Sequence, residues 1–233
     1  MLYKSTICAS IAFIPDTSAA HLNLWKKRLS RVPESIWTQT SLETLVLADN
    51  ELIEVSEQIG CLKNLRMLDL GHNQLTRVPD ALGGLDGLTD FLYLHDNRLG
   101  SLPPSFDRLT RLRYLNIGEN AFEALPESVC GMASLIELRA CGNRLKSLPE
   151  SVGRLSRLRE LHLRDNQLTS LPDSIGALRE LRQMDLRGNP LTRLPAAIAA
   201  LPRLEKLDLR WVTTLALPAW AASLEARGCA VYR

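Results

Sequence analysis

Residues 158–180 read LRELHLRDNQLTSLPDSIGALRE, and variants of this unit recur along most of the chain. The leucines that open successive units lie 23 residues apart, except for one interval of 24 residues. They are Leu42, Leu65, Leu88, Leu112, Leu135, Leu158, Leu181 and Leu204. A fixed period of roughly 20 to 50 residues indicates a repeat architecture, in which each unit stacks on its neighbours.

The order of residue types inside the unit is L-x-x-L-x-L-x-x-N-x-L-x-x-L-P-x-x-I-G-x-L. An amphipathic helix needs apolar residues at spacings of three and four, whereas the L-x-L step alternates. The Asn and Pro that follow interrupt any helical period in every unit. The pattern therefore predicts a short strand whose leucines face a core, followed by a turn, and it disfavours a helical bundle.

This pattern resembles the 23-residue type of the leucine-rich repeat family, over about residues 19–227. The resemblance implies the α/β class and a leucine-rich repeat solenoid, a curved arc with a parallel β-sheet on its concave face and 3₁₀ or short helical turns on its convex face. We expect a tail or cap over 1–18, about nine repeats over 19–217 with the first and last degenerate, and a capping helix and edge strand over 218–233. Together with the excess of arginine over lysine, the resemblance also indicates a bacterial chain.

Single positions within the units carry further predictions about the fold. The proline after each second leucine fixes φ and removes a donor, which suits an irregular convex turn. The extra residue of the fourth unit falls among Thr89, Asp90 and Phe91, where we expect a local bulge just before the strand. At the C-terminal end, Trp220 and Leu224 are predicted to be buried against the last repeat. The asparagines at the turn position, which we expect to form a buried ladder satisfying backbone groups, are Asn50, Asn73, Asn97, Asn120, Asn143, Asn166 and Asn189.

Composition limits the classes of function. The net charge is +2, so no strong electrostatic attraction to nucleic acid or to an anionic membrane is expected. The five cysteines are scattered without a C-x-x-C pair, which indicates neither a zinc site nor a disulfide framework. We therefore expect no metal, no cofactor and a cytoplasmic monomer. Residues 1–18 faintly resemble a signal peptide, which leaves secretion, including secretion as an effector, as the alternative.

Because strand side chains alternate, the residues that flank each buried strand leucine form columns on the concave face. Aromatic and basic side chains are frequent anchors of protein interfaces, so two groups in these columns are our candidate partner-binding residues. The first group, here called the aromatic patch, is Met67, Phe91, Tyr93, His95 and Tyr114. The second group, here called the basic stripe, is Arg139, His162, Arg164, Arg187 and Arg210. Two plainer interpretations stay open: cross-strand aromatics that only stabilise the sheet, and charges that form a solvated face.

The columns also contain carboxylate pairs, Glu137 beside Glu160 and Asp185 beside Asp208, at separations that acid–base catalysts use. Arginines flank both pairs and the sequence carries no nucleophile or phosphate-binding motif, so we expect no catalytic residue. The predicted function is a non-catalytic scaffold or recognition protein in signal transduction, which binds a protein partner. The alternative is a recognition arm or subunit of a signalling enzyme or secreted effector of the kinase or ubiquitin-ligase type, whose catalytic domain is absent from this chain.

Overall fold

The structure is a computed structural model and describes residues 20–233. Ten strands of three residues each form one sheet in chain order, and every neighbouring pair is parallel. The predicted α/β solenoid is confirmed. The strands are β1 His21–Asn23, β2 Thr44–Val46, β3 Met67–Asp69, β4 Phe91–Tyr93, β5 Tyr114–Asn116, β6 Glu137–Arg139, β7 Glu160–His162, β8 Gln183–Asp185, β9 Lys206–Asp208 and β10 Ala230–Tyr232.

Five-residue 3₁₀ helices follow the turns on the other side of each repeat. In seven of the eight, the residue before the helix is a proline whose φ lies between −57° and −72°. Proline is pre-set for this φ and lacks the N–H that a helix start leaves unpaired. Ser56 takes this place once, and its hydroxyl accepts a hydrogen bond from the Gln58 N–H at 3.2 Å. The helices are Glu34–Thr38, Glu57–Cys61, Asp80–Gly84, Pro104–Arg108, Glu127–Gly131, Glu150–Arg154, Asp173–Ala177 and Ala196–Ala200.

One continuous apolar core runs the length of the stack. The central residue of every strand from β2 to β9 is at most 1% exposed, because the sheet alternation turns it toward the 3₁₀ helices. The residues on either side of it face the concave surface. Since each strand pairs with the next without a shift, these flanking residues form straight columns across the sheet.

The turn asparagines join neighbouring repeats, as Asn143 illustrates. Its side-chain Nδ2 donates to the carbonyl oxygens of Ala140 and Cys141 in its own turn and of Ile117 in the preceding repeat, at 3.0 to 3.2 Å. Its Oδ1 accepts from the Phe122 N–H at 3.1 Å. Equivalent bonds are made by Asn50, Asn73, Asn97, Asn120, Asn166 and Asn189, so the predicted ladder is confirmed, with Asn73 and Asn120 only partly buried.

The residue before each ladder asparagine has a left-handed backbone, with φ between 49° and 68°. This conformation turns the chain sharply off the strand and brings the asparagine side chain under the preceding turn. Two of the seven positions are the glycines Gly142 and Gly188, which take it without cost; the other five are Asp, His or Glu.

The extra residue of the fourth repeat lies at the predicted place and leaves the strand register intact. The Arg113 N–H donates to the carbonyl oxygen of Thr89 at 3.0 Å and so skips Asp90. In the other repeats the residue just before a strand bonds the residue just before the preceding strand, as Ile136 bonds Arg113. Phe91 pairs with Met67 on one side and Tyr114 on the other. The additional length is therefore absorbed at Asp90, which forms a bend just before β4, where the local bulge was expected, and the strand pairs themselves keep their register.

At the C-terminal end, helix α1 (Ala221–Ala226) packs beside β10. Leu224 is fully buried, as predicted. Trp220 was also predicted to be buried, but its side chain is less covered than expected. Trp220 precedes the helix and is only partly covered, because Ala221 and Leu224 occupy the positions that face the last repeat. Within residues 20–233, no helix has both the length and the hydropathy needed to cross a membrane. The tail or cap expected at 1–18 lies outside the described residues.

Replacing a ladder asparagine should lower stability strongly. Asn166→Ala leaves buried carbonyl groups and the Leu145 N–H without their partner, and we expect a loss of about 3 kcal/mol in the free energy of unfolding. Asn64→Ala is the matched control, because Asn64 is exposed and bonds only the Thr40 carbonyl. Urea denaturation followed by circular dichroism measures both; equal effects of the two variants would show that the ladder has no special role.

Candidate protein-binding surface on the concave face

The aromatic patch comes together as predicted from the repeat phase. The ring centroids of Tyr93 and Tyr114 lie 5.0 Å apart, and those of Phe91 and Tyr114 lie 5.5 Å apart. Phe91 also stacks on Tyr93 at 5.9 Å. Met67 is partly buried and pairs with Phe91 in the sheet. Phe91 remains 43% exposed, so the patch presents an apolar surface to solvent.

Both tyrosine hydroxyls of the patch stay protonated at neutral pH. Burial raises the pKa of Tyr114 to about 12, and burial also raises the pKa of Tyr93. A protonated phenol can donate or accept a hydrogen bond while its ring supplies apolar contact area. The patch can therefore provide polar as well as apolar contacts.

His95 closes one side of the patch, with its ring 6.0 Å from Tyr93 and 4.7 Å from His72. Its ring lies against Gly71, where a Cβ atom would approach His95 Cε1 to 2.3 Å, so any larger residue there would displace the His95 ring. Burial lowers the pKa of His95 below its ordinary value of 6.5, and the neighbouring His72 lowers it further. His95 is therefore a neutral part of the surface at physiological pH.

A groove of about 400 Å³ runs beside the patch and includes Phe91 and Tyr114 in its wall. Arg66 and Arg113, which directly precede strands, line its basic side. Arg66 pairs with Asp90 at 3.1 Å, while Arg113 has no carboxylate within ion-pair distance among residues 20–233. Sequence reasoning missed both arginines because it considered only the positions within and after the strands. They could have been identified by also considering the residue just before each strand.

The basic stripe, in contrast, is largely neutralised by carboxylates of the same chain. Each arginine has an acidic neighbour, and two of the pairs are bidentate. The contacts are Arg139 to Glu137 at 2.5 Å, Arg164 to Asp165 at 3.0 Å, Arg187 to Asp185 at 2.8 and 2.6 Å, Arg210 to Asp208 at 2.9 and 2.7 Å, and His162 to Glu160 at 3.1 Å. Stripe and patch meet where the Arg139 guanidinium lies 6.0 Å from the Tyr114 ring.

Asp208 is the most deeply placed of these acids, with no exposed surface. Burial alone would raise its pKa, but hydrogen bonds from the Arg210 side chain and backbone and the charge of Arg187 lower it overall. A carboxylate held ionised between two guanidinium groups is a structural ion pair. This arrangement does not resemble a catalytic acid pair, in which one carboxyl group has a raised pKa.

Trp211 is a surface feature that the sequence reasoning did not single out. It is 66% exposed and has a φ of 64°, a conformation that bulky residues rarely adopt. The guanidinium groups of Arg187 and Arg210 lie 5.8 and 5.9 Å from its ring. Its position could have been read from the repeat, because Trp211 occupies the place in its unit that Gly188 takes one repeat earlier.

Comparison with known proteins identifies the family. A family model described as leucine rich repeat matches residues 17–75, 40–99 and 90–145, and a model of a leucine-rich repeat region matches residues 141–226. These segments cover most of the chain. The chain belongs to the leucine-rich repeat family. No curated protein matched it in sequence.

Solved structures with the same fold include bacterial and plant proteins. A leucine-rich repeat protein of Leptospira interrogans is 26% identical with a TM-score of 0.71, over 90% of this chain and 65% of that protein. The ectodomain of the Arabidopsis thaliana receptor kinase GASSHO1, in complex with CASPARIAN STRIP INTEGRITY FACTOR 2, is 32% identical with a TM-score of 0.71, over 82% of this chain and 24% of that one. The leucine-rich repeat domain of the type III effector XopL is 23% identical with a TM-score of 0.77, over 91% of this chain and 75% of that domain.

Removing the buried charge of Asp208 should destabilise the C-terminal repeats. In the Asp208→Asn variant, Arg187 and Arg210 lose their shared counter-charge, and we expect a loss of about 3 kcal/mol in the free energy of unfolding. Asp86→Asn, at an exposed position, is the control and should change stability by less than about 0.5 kcal/mol. Chemical denaturation of both variants checks the expectation, which fails if Asp208→Asn unfolds like the wild type.

His95 should make the fold less stable in mild acid. As the pH falls from about 7.5 to about 5.5, the unfolded state takes up a proton that the folded state binds more weakly, so stability decreases. His95→Gln removes this contribution and should lose less melting temperature across the same interval. His21→Gln, which replaces an exposed histidine of β1, should behave as the wild type. An unchanged pH dependence in His95→Gln would contradict the assignment.

Proposed function

We propose that this chain is a non-catalytic recognition protein that binds a protein partner through the aromatic patch on its concave face. The observation that carries the proposal is the contact between Phe91, Tyr93 and Tyr114 at a surface where Phe91 is 43% exposed. Exposed clusters of large apolar side chains mark interaction sites, and aromatic residues are frequent energetic anchors.

The fold itself does not require aromatic residues at these positions. Only the central residue of each strand enters the core, and the same surface column carries polar side chains in other repeats, such as Thr44, Glu160 and Lys206. A sheet that is stable with polar residues in this column gains little from exposing a phenylalanine to water. The cross-strand contacts stabilise the sheet locally, but they do not account for the exposed ring surface.

The groove beside the patch indicates the chemistry of the partner. Arg113 and the apolar faces of Phe91 and Tyr114 line the same depression. The two acidic residues of its wall are already paired, Asp90 with Arg66 and Glu137 with Arg139, which leaves Arg113 as the unpaired charge of the groove among residues 20–233. A partner segment that inserts an apolar side chain between the rings and places a carboxylate near Arg113 would satisfy both. Because the residues of the basic stripe are paired with carboxylates of the same chain, we assign them a secondary role, which is to align the partner along the concave face. The same pairing disfavours a nucleic-acid partner, since phosphates would compete with these carboxylates.

The structural relatives support a protein partner in general terms. The GASSHO1 ectodomain, named as a plant membrane receptor kinase, was solved in complex with CASPARIAN STRIP INTEGRITY FACTOR 2. The present chain spans 24% of that chain and 65% of the Leptospira protein. The activities of those larger proteins are therefore not carried over. That this chain acts as a cytoplasmic monomer without a catalytic role is part of the proposal.

The alternative, a recognition arm of a signalling enzyme or effector, uses the same surface and differs in what is attached to it. The similarity to the leucine-rich repeat domain of a type III effector concerns the fold alone. An enzymatic activity of the purified chain would exclude both versions, because each places catalysis elsewhere.

The test is an affinity capture from source-cell lysate with mass spectrometry, comparing the wild type with a Phe91→Ala, Tyr93→Ala, Tyr114→Ala variant of unchanged circular dichroism. We expect a protein that the wild type retains and the variant loses, because the aromatic anchors supply most of the contact energy. Ile53→Ala, which removes an exposed apolar side chain outside the sheet, is the matched control and should retain the partner. Equal capture by the triple variant would contradict the proposal.

A further inference from the structure

Two glutamates face each other beyond the aromatic patch, on adjacent strands. Glu137 of β6 and Glu160 of β7 are direct partners across the sheet, and His162 lies two residues after Glu160 on the same face. The His162 Nε2 is 3.1 Å from Glu160 Oε2 and 3.8 Å from Glu137 Oε1. The three potential ligand atoms lie within 4.8 Å of one another.

Like charges directly opposite each other destabilise a sheet, so this arrangement needs a compensating positive charge. Arg139 supplies one for Glu137, to which its Nε donates at 2.5 Å. For Glu160 the structure gives one polar side-chain contact, the imidazole of His162. An imidazole between two carboxylates satisfies them when it is protonated, or when all three groups share a cation.

We propose that Glu137, Glu160 and His162 bind a divalent transition-metal ion of the zinc type. Ligand atoms about 2.0 to 2.1 Å from a tetrahedral ion lie about 3.3 Å apart. The two separations between His162 and the glutamates bracket this value, and the two glutamate oxygens lie within 4.8 Å of each other. One imidazole nitrogen with two carboxylate oxygens suits zinc, whereas magnesium and calcium prefer oxygen ligands throughout.

The surroundings allow both access and orientation of the ligands. The three side chains are between 17% and 35% exposed, so a fourth, water ligand can enter from the concave side. Arg139 donates a hydrogen bond to the Glu137 carboxylate and so fixes its orientation. Because Arg139 binds the same oxygen that faces His162, the metal must share or displace this contact, which keeps the affinity moderate.

This trio is the one group of residues 20–233 whose His, Cys, Asp and Glu ligand atoms meet in this way. The cysteine spacing, which indicated no zinc site, could not predict this trio, because its ligands come from neighbouring repeats and include no thiol. The trio borders the aromatic patch, because Glu137 pairs with Tyr114 in the sheet and lines the groove beside the patch. Metal binding by the trio does not depend on the proposed partner.

The experiment is a titration of the chelator-treated chain with Zn²⁺ by calorimetry and with Co²⁺ by visible absorption, which reports tetrahedral geometry. Cys8 and Cys61 are replaced by serine throughout, because Cys61 is an exposed thiol that could bind the probe ions. We expect one equivalent of metal and an intense cobalt spectrum. His162→Ala and the isosteric Glu160→Gln should each weaken binding at least roughly tenfold.

His21→Ala is the control, since His21 is an exposed histidine on the same sheet at β1. It should bind metal as the parent chain does. The proposal is overturned if the parent chain shows no saturable binding, or if both His162→Ala and Glu160→Gln bind as tightly as the parent. Melting curves of each variant without metal establish that a loss of binding is not a loss of fold.

Discussion

The hydrogen bonds of the ladder asparagines are the interaction on which the rest of the structure depends. Each side chain satisfies carbonyl groups in its own turn and in the turn before it, and accepts an N–H from the preceding repeat, as Asn143 does for Phe122. Without them, every turn would bury backbone groups that no leucine can satisfy. Because the same bonds recur from Asn50 to Asn189, they join each of these repeats to the preceding one in the same way and support the unshifted strand register. The leucine core supplies most of the burial, but the ladder decides where each leucine lies.

A fixed register has a direct consequence for the surface. Side chains from different repeats, far apart in sequence, become neighbours at fixed distances, so a short strand of three residues offers two positions to a shared face. On this face the N-terminal half gathers apolar rings around Tyr93 and Tyr114, while the C-terminal half pairs its charges internally, with Asp208 fully buried between Arg187 and Arg210. The two halves therefore differ in what they offer. The N-terminal half leaves aromatic ring surface exposed to solvent. In the C-terminal half the guanidinium groups already have carboxylate partners in the same chain.

Much of the fold and of the concave surface could be predicted from the sequence, because a residue's place within its repeat determines which way its side chain points. The strand positions, the asparagine ladder, the site of the extra residue before Phe91 and the membership of the aromatic patch all depend only on counting residues. What phase does not give is how a long side chain folds back on its neighbours, which decides that Arg187 is self-paired and Arg113 is not. Nor does it give the depth of Trp220, which depends on where the capping helix begins. Such features arise from local packing that differs between repeats, and only coordinates resolve them.

The most direct test of the central claim is site-specific photo-crosslinking in source cells. A photoreactive phenylalanine analogue placed at Phe91 probes the aromatic patch, and the same analogue at Ile53 probes an exposed apolar position outside the sheet. If the aromatic patch binds the partner, position 91 gives a discrete covalent adduct with one protein and position 53 gives none with that protein. An adduct with the same protein from position 53 alone would contradict binding at the patch, because the partner would then bind outside the concave face.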